Sequence, residues 1–167
     1  MQERRADRSV AAELAQVSSN RMRQFAAPHN PGPTVLLVDD DCDLRTFLFT
    51  DLRTHGLNPI LARSGTESLE LACAERIDIV LIDPPMRGVD GYEVCERLMR
   101  DAVSAPVPII VLGVMDDLPA RQRALQLGVA DFLSKPVNTR ELMHRIGSQL
   151  HMLGILREMD AAIAAWL

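Results

Sequence analysis

Three consecutive acids, Asp39-Asp40-Asp41, directly follow the apolar run Thr34–Val38. A single Asp83 follows a second such run, Asp78–Ile82, and Lys135-Pro136 closes a third apolar stretch. Carboxylates gathered in one place repel each other unless protons or a cation intervene. Hard oxygen ligands of this kind suit Mg²⁺, which takes one or two carboxylates and keeps several waters. A carboxylate is also a nucleophile toward phosphorus and forms an acyl phosphate. A metal ion and a nearby lysine would offset the charge on a transferring phosphoryl group. Together these residues point to phosphoryl transfer onto a carboxylate. Singly they say less, because an Asp after a strand often caps the next helix, the role expected of Asp41.

The elements that would bring these residues together can be read along the chain. Thr34–Val38 is a short continuous apolar run, as in a strand buried on both faces. An amphipathic stretch through Leu44, Phe47, Leu48 and Leu52 follows and stops at Gly56. Pro59–Ala62 is the second strand, and Ser64-Gly-Thr-Glu67 has the capping-box spacing that opens a helix. Asp78–Ile82 is the third strand, and Asp90-Gly-Tyr-Glu93 opens the next helix. Val107–Leu112 is the fourth strand, with a helix from Asp117 to Leu127 that ends at Gly128. Val129–Leu133 is the fifth strand, and Asn138-Thr-Arg-Glu141 caps the last helix. Five strand–helix alternations predict an α/β fold, a five-stranded parallel sheet doubly wound by helices. Ligands in such folds sit at the carboxyl ends of strands, where the acids and the lysine fall.

The segments Val35-Leu-Leu-Val-Asp-Asp40, Ile79-Val-Leu-Ile-Asp83, Gly88-Val-Asp-Gly-Tyr-Glu-Val-Cys95 and Gly128-Val-Ala-Asp-Phe-Leu-Ser-Lys-Pro136 resemble receiver domains of two-component response regulators. The resemblance covers about residues 34–151. It implies a flavodoxin-like (βα)5 fold and a Mg²⁺ cofactor. By that resemblance Asp83 accepts a phosphoryl group from a sensor histidine kinase or a phosphotransfer protein. Asp40 binds the metal directly, Asp39 supports it partly through water, and the Pro85 backbone carbonyl completes the protein ligands alongside Asp83. Lys135 contacts the phosphoryl oxygens. Phe132 falls where the family has its mobile aromatic switch, although a plain core role fits its place in the fifth strand equally.

The chain departs from the family at the end of the fourth strand. Receivers usually carry Ser or Thr there, and this chain has Gly113, with no side-chain donor. Losing a hydrogen bond to a charged acceptor forfeits roughly 1.5–3 kcal/mol of coupling. The next residue, usually small, is Val114, which is expected to restrict access to Asp83. Pro84 and Pro85 stiffen the loop after the acceptor, and Arg87 stands where a proline is usual. Arg87 is expected to face solvent. These changes leave metal and acceptor atoms in place and bear on the readout. Two further readings therefore stand beside the switch: a pseudo-receiver that binds partners without phosphate, and the regulatory part of a larger output protein.

Composition narrows the rest. The chain has 167 residues and a net charge of −5, which disfavours direct nucleic-acid binding. Residues 1–33 carry five arginines against three acids, and the Pro-rich stretch Pro28-His-Asn-Pro-Gly-Pro33 ends that arm. The expected layout is an arm and linker over 1–33, a receiver over 34–151 and a helical extension over 152–167. Cys42, Cys73 and Cys95 have no CxxC spacing and are expected to be reduced packing thiols in the cytoplasm. No apolar run reaches the roughly 18 residues of a membrane span. An Asp-x-Asp phosphatase is disfavoured because Pro85 stands at the second Asp position. Apolar residues at 142, 146, 150, 153, 156, 159, 163 and 166 prolong the last helix with a mean step near 3.4. That spacing approaches a coiled-coil repeat and predicts a homodimer through the last helix or through the strand 4–helix 5 face.

Overall fold

The computed structural model describes residues 32–100, 107–114 and 117–166, the last twelve as backbone alone. The expected N-terminal arm lies, up to residue 31, outside the described residues. Five strands and five helices alternate: β1 Thr34–Val38, α1 Cys42–Thr54, β2 Asn58–Ala62, α2 Gly65–Ala74, β3 Ile79–Ile82, α3 Gly91–Arg100, β4 Ile109–Val114, α4 Leu118–Leu127, β5 Asp131–Lys135 and α5 Thr139–Trp166. The strands form one parallel sheet in the order β2-β1-β3-β4-β5. Pro59 lies in the edge strand β2, where a missing N–H is tolerated.

Both faces of the sheet are covered, which is why its central strands are apolar at consecutive positions. Val35, Leu37, Ile79, Leu81, Ile110 and Leu112 pack against Leu48 and Leu52 of α1 and Leu142 and Ile146 of α5. Leu36, Val38, Val80, Ile82, Ile109 and Val111 face the other way, toward Val94 and Cys95 of α3 and Ala124 of α4. The helices start where their caps predict. Asp41 accepts from the Asp43 and Leu44 N–H groups, Ser64 from Glu67, Asp117 from Ala120, and Asn138 from Glu141.

Two strands are displaced from the sequence expectation. β4 begins at Ile109 and not at Val107, and runs on through Gly113 and Val114. Pro108 has no N–H for the ladder, and its carbonyl accepts from Val80. β5 is Asp131–Lys135 and not Val129–Leu133. The Val129 N–H is used to close α4, on the Ala124 carbonyl at 3.4 Å, so the ladder starts later. This later phase carries Ser134 and Lys135 into the sheet opposite Gly113 and Val114. The last helix passes residue 151 without a break, and Leu153 beyond it is still buried.

Candidate functional site

The site lies at the carboxyl ends of β1, β3 and β5. The Asp39 N–H, leaving β1, donates to the Ala62 carbonyl, and the Asp83 N–H, leaving β3, donates to the Val38 carbonyl at 2.9 Å. These backbone bonds continue the ladders past the strands and hold both acids at one rim. Asp39 is fully buried. Its Oδ1 accepts from the Asp41 N–H at 2.7 Å, while Oδ2 has no hydrogen-bond partner among the described residues. Burial pushes the Asp39 carboxyl above its ordinary range, a rise that the Asp41 N–H opposes and repulsion from Asp83 adds to.

Asp83 is only 6% exposed. Its Oδ2 lies 2.5 Å from the Lys135 ammonium, which also stands 3.9 Å from Asp39 Oδ2. Burial raises the Asp83 carboxyl, the Lys135 hydrogen bond and charge lower it, and Asp40 and Asp41 push it up again. The net direction is upward. Asp40 is exposed, and its Oδ2 accepts from the Arg87 N–H at 3.3 Å. Asp39, Asp40, Asp83 and Lys135, singled out separately along the chain, therefore share one rim. Asp41 caps α1 as expected, and the Arg87 side chain is exposed.

The loop after Asp83 is held by its own backbone. The Pro84 carbonyl accepts from Met86 at 2.8 Å and from Gly91 at 3.2 Å, whereas no donor among the described residues reaches the Pro85 carbonyl. A Cβ on Gly91 would lie 2.5 Å from Pro84 Cα, so only glycine lets α3 approach the loop this closely. Val114 is 61% exposed, and the Phe132 ring is buried against Gly113.

The contacts of three side chains, Arg45, Arg123 and Tyr92, carried no sequence signal. The Arg45 guanidinium donates to the Asp39 carbonyl at 2.6 Å and pins the turn after β1. Arg123 of α4 pairs with Asp90 at 2.7 Å and lies 4.4 Å from the Tyr92 ring centroid. The Tyr92 hydroxyl donates to the Ala120 carbonyl, so the start of α3 is tied to α4 twice. The expectation of three packing thiols is corrected. All three are free, but Cys42 and Cys73 are exposed and only Cys95 is packed, because the first two fall on the solvent sides of α1 and α2.

Residues 35–147, well over half of the chain, match the response regulator receiver domain family. The chain belongs to that family. The receiver is 33% identical over 128 residues to "Heme response regulator HssR" of Staphylococcus aureus, covering 77% of this chain and 56% of that protein. It is 38% identical over 116 residues to "Probable transcriptional regulator ycf27" of Guillardia theta, covering 70% of this chain and 44% of that protein. The chain thus spans about half the length of the curated relatives it matches. Among solved structures, the receiver domain of Francisella response regulator 1452 superposes with a TM-score of 0.67 at 28% identity, covering 73% of this chain and 99% of that one. The receiver domain of an HD domain-containing protein from Pseudomonas fluorescens Pf-5 superposes with a TM-score of 0.70 at 25% identity, covering 80% and 98%.

Proposed function

We propose that this receiver is a phosphorylation switch whose acceptor is Asp83. The observation that carries the reading is the buried rim itself. An ionised acceptor there touches a lysine, beside a buried carboxylate oxygen, Asp39 Oδ2, that no donor satisfies. A buried charge is stable only when paired or bound to a cation, and this oxygen has a long 3.9 Å ion pair to Lys135 and no hydrogen bond among the described residues. Asp39, Asp40, Asp83 and the Pro85 carbonyl are the groups that would hold Mg²⁺. Among the described residues no three acidic, Cys or His side chains form a preformed cage. That suits an ion that keeps most of its waters. When bound, it would offset the negative charge of acids and phosphoryl oxygens.

The donor proposed is the phosphohistidine of a sensor histidine kinase or of a phosphotransfer protein. An Asp83 carboxylate oxygen bonds to phosphorus as the phosphorus–nitrogen bond breaks, and that bond's electron pair returns to the imidazole. Lys135 leaves the Asp83 oxygen for the phosphoryl oxygens, so its charge stays paired throughout. The chain's own chemistry is this gain and loss of phosphate; no other catalysis is proposed. The site of action proposed is the cytoplasm, where the three free thiols stay reduced. Among the described residues no helix is long and apolar enough to cross a membrane. No direct nucleic-acid contact is proposed.

The test is treatment with acetyl phosphate and Mg²⁺, read by intact-protein mass. Wild type is expected to gain one phosphoryl group and Asp83→Ala none. Equal labelling of both would overturn the assignment. The rival reading, a phosphate-independent module, is disfavoured by the intact rim and would require Asp83→Ala to leave partner binding and signalling unchanged.

A further inference from the structure

Gly113 is buried within β4, opposite Ser134 of β5. A Cβ placed on it would lie 2.2 Å from Phe132 Cζ, 2.6 Å from Cε2 and 3.3 Å from Cε1. Carbon atoms in contact stand about 3.5–4.0 Å apart. The ring therefore fills the volume that any side chain at 113 would need. Phe132 is 9% exposed, and the Arg121 guanidinium lies 6.0 Å from its ring centroid. In the same structure Asp83 is paired with Lys135.

The two partners depend on each other. Turning the ring outward would expose much of the roughly 150–250 Å² that a Phe buries and would leave a void over Gly113. A modification moves an equilibrium only by its differential interaction with the two states. Gly113 has no hydroxyl with which a phosphoryl group could favour one ring position over the other. Position 113 offers neither a side chain to push the ring outward nor a hydroxyl to draw it in.

We propose that Gly113 and Phe132 form a fixed knob-in-hole lock, which keeps the aromatic ring inward whether or not Asp83 is phosphorylated. The resting half of this statement stands on packing alone. The second half rests on the proposed role of Asp83. Phosphorylation must then be read by parts of the rim other than the β4–β5 aromatic, such as the loop from Pro84 to Asp90 that Arg123 ties to α4.

The test is NMR on protein with ¹³C-labelled phenylalanine rings. Nuclear Overhauser contacts between the Phe132 ring and the Gly113 Hα protons are expected in wild type, unchanged by beryllofluoride with Mg²⁺. Their absence at rest, or a ring that moves on activation, would overturn the lock. In Gly113→Ala and Gly113→Thr the ring is expected outside, with its resonances broadened by a soluble paramagnetic agent. A ring that stays buried in both variants would overturn the proposal, and this arm needs no activation. Thermal unfolding adds a second check. Gly113→Ala is expected to lower Tm in the wild type but not in Phe132→Ala, and equal losses in both would defeat the steric coupling. The ¹⁹F signal of bound beryllofluoride reports Asp83 separately. Its absence would sink the acceptor reading while leaving the variant arm to decide the lock.

Discussion

Asp39 and Asp83 are two buried carboxyls whose proton affinities are raised above the ordinary 3.8, in both cases mainly by burial. The folded chain then holds these protons more tightly than the unfolded chain. Stability falls as pH rises from the ordinary value through the raised one, and it stays reduced above. Asp83→Asn removes one charge from that cluster and keeps an acceptor for Lys135. Its Tm at pH 7 is expected to exceed wild type, by about 2–4 °C per kcal/mol of relieved strain. The gain should vanish below the ordinary carboxyl range, and Mg²⁺ should raise the wild type more than the variant. Calorimetry across pH checks both signs. The thiols give an independent prediction. The Cys95 thiol is pushed up to about 12 by burial, so it is neutral and inert near pH 8. A chromogenic disulfide should titrate Cys42 and Cys73 in the native protein and all three thiols only after denaturation. The placement of the acids and the lysine on one rim was legible beforehand because each falls at a strand end. Arg45 on the Asp39 carbonyl was not, because an arginine on an amphipathic helix announces no partner. Nor was the Gly113–Phe132 packing, since a missing side chain says nothing about what fills its place.

The caps at Asp41, Ser64 and Asn138 marked helix starts correctly, because a capping side chain is a local device readable within four residues. The strands β4 and β5 were misplaced by two residues, because apolar runs do not show where backbone N–H groups are spent. Val129 looks like strand and closes a helix; Pro108 looks like strand and cannot join the ladder. The last helix was legible as too long, and it runs 28 residues as one element. Its first half is fixed to the domain through Leu142, Ile146 and Leu153. Leu142→Ala is expected to cost about 2–5 kcal/mol, read as a lower urea midpoint with an unchanged slope. We propose that the chain forms a homodimer, and that it does so through the second half, where the same apolar spacing continues at 156, 159, 163 and 166. Ending the chain after Gly154 is expected to leave the domain folded and shift its sedimentation from dimer to monomer. Unchanged sedimentation would reject that assignment and leave the strand 4–helix 5 face as the candidate.

Two apolar layers, one on each side of a five-stranded sheet, account for the whole described domain. That architecture was legible because consecutive apolar positions in the three central strands can only be buried on both faces. It positions every site residue from one edge of one sheet, so a modest shift of one rim loop is felt by the others. Charge belongs to this scale as well. With a net charge of −5, the chain is expected to leave duplex DNA unretarded in a mobility assay at physiological salt. Retardation would count against a purely protein-directed role.

The geometry of α5 has a mechanical consequence. From Leu153, the last buried residue among those described, to Trp166 the helix axis measures about 20 Å at 1.5 Å per residue. A tilt of about 5° at its seat would therefore sweep the far end sideways by roughly 2 Å. The helix would then act as a lever seated in the core, carrying adjustments near the rim out to where a neighbouring polypeptide can sense them.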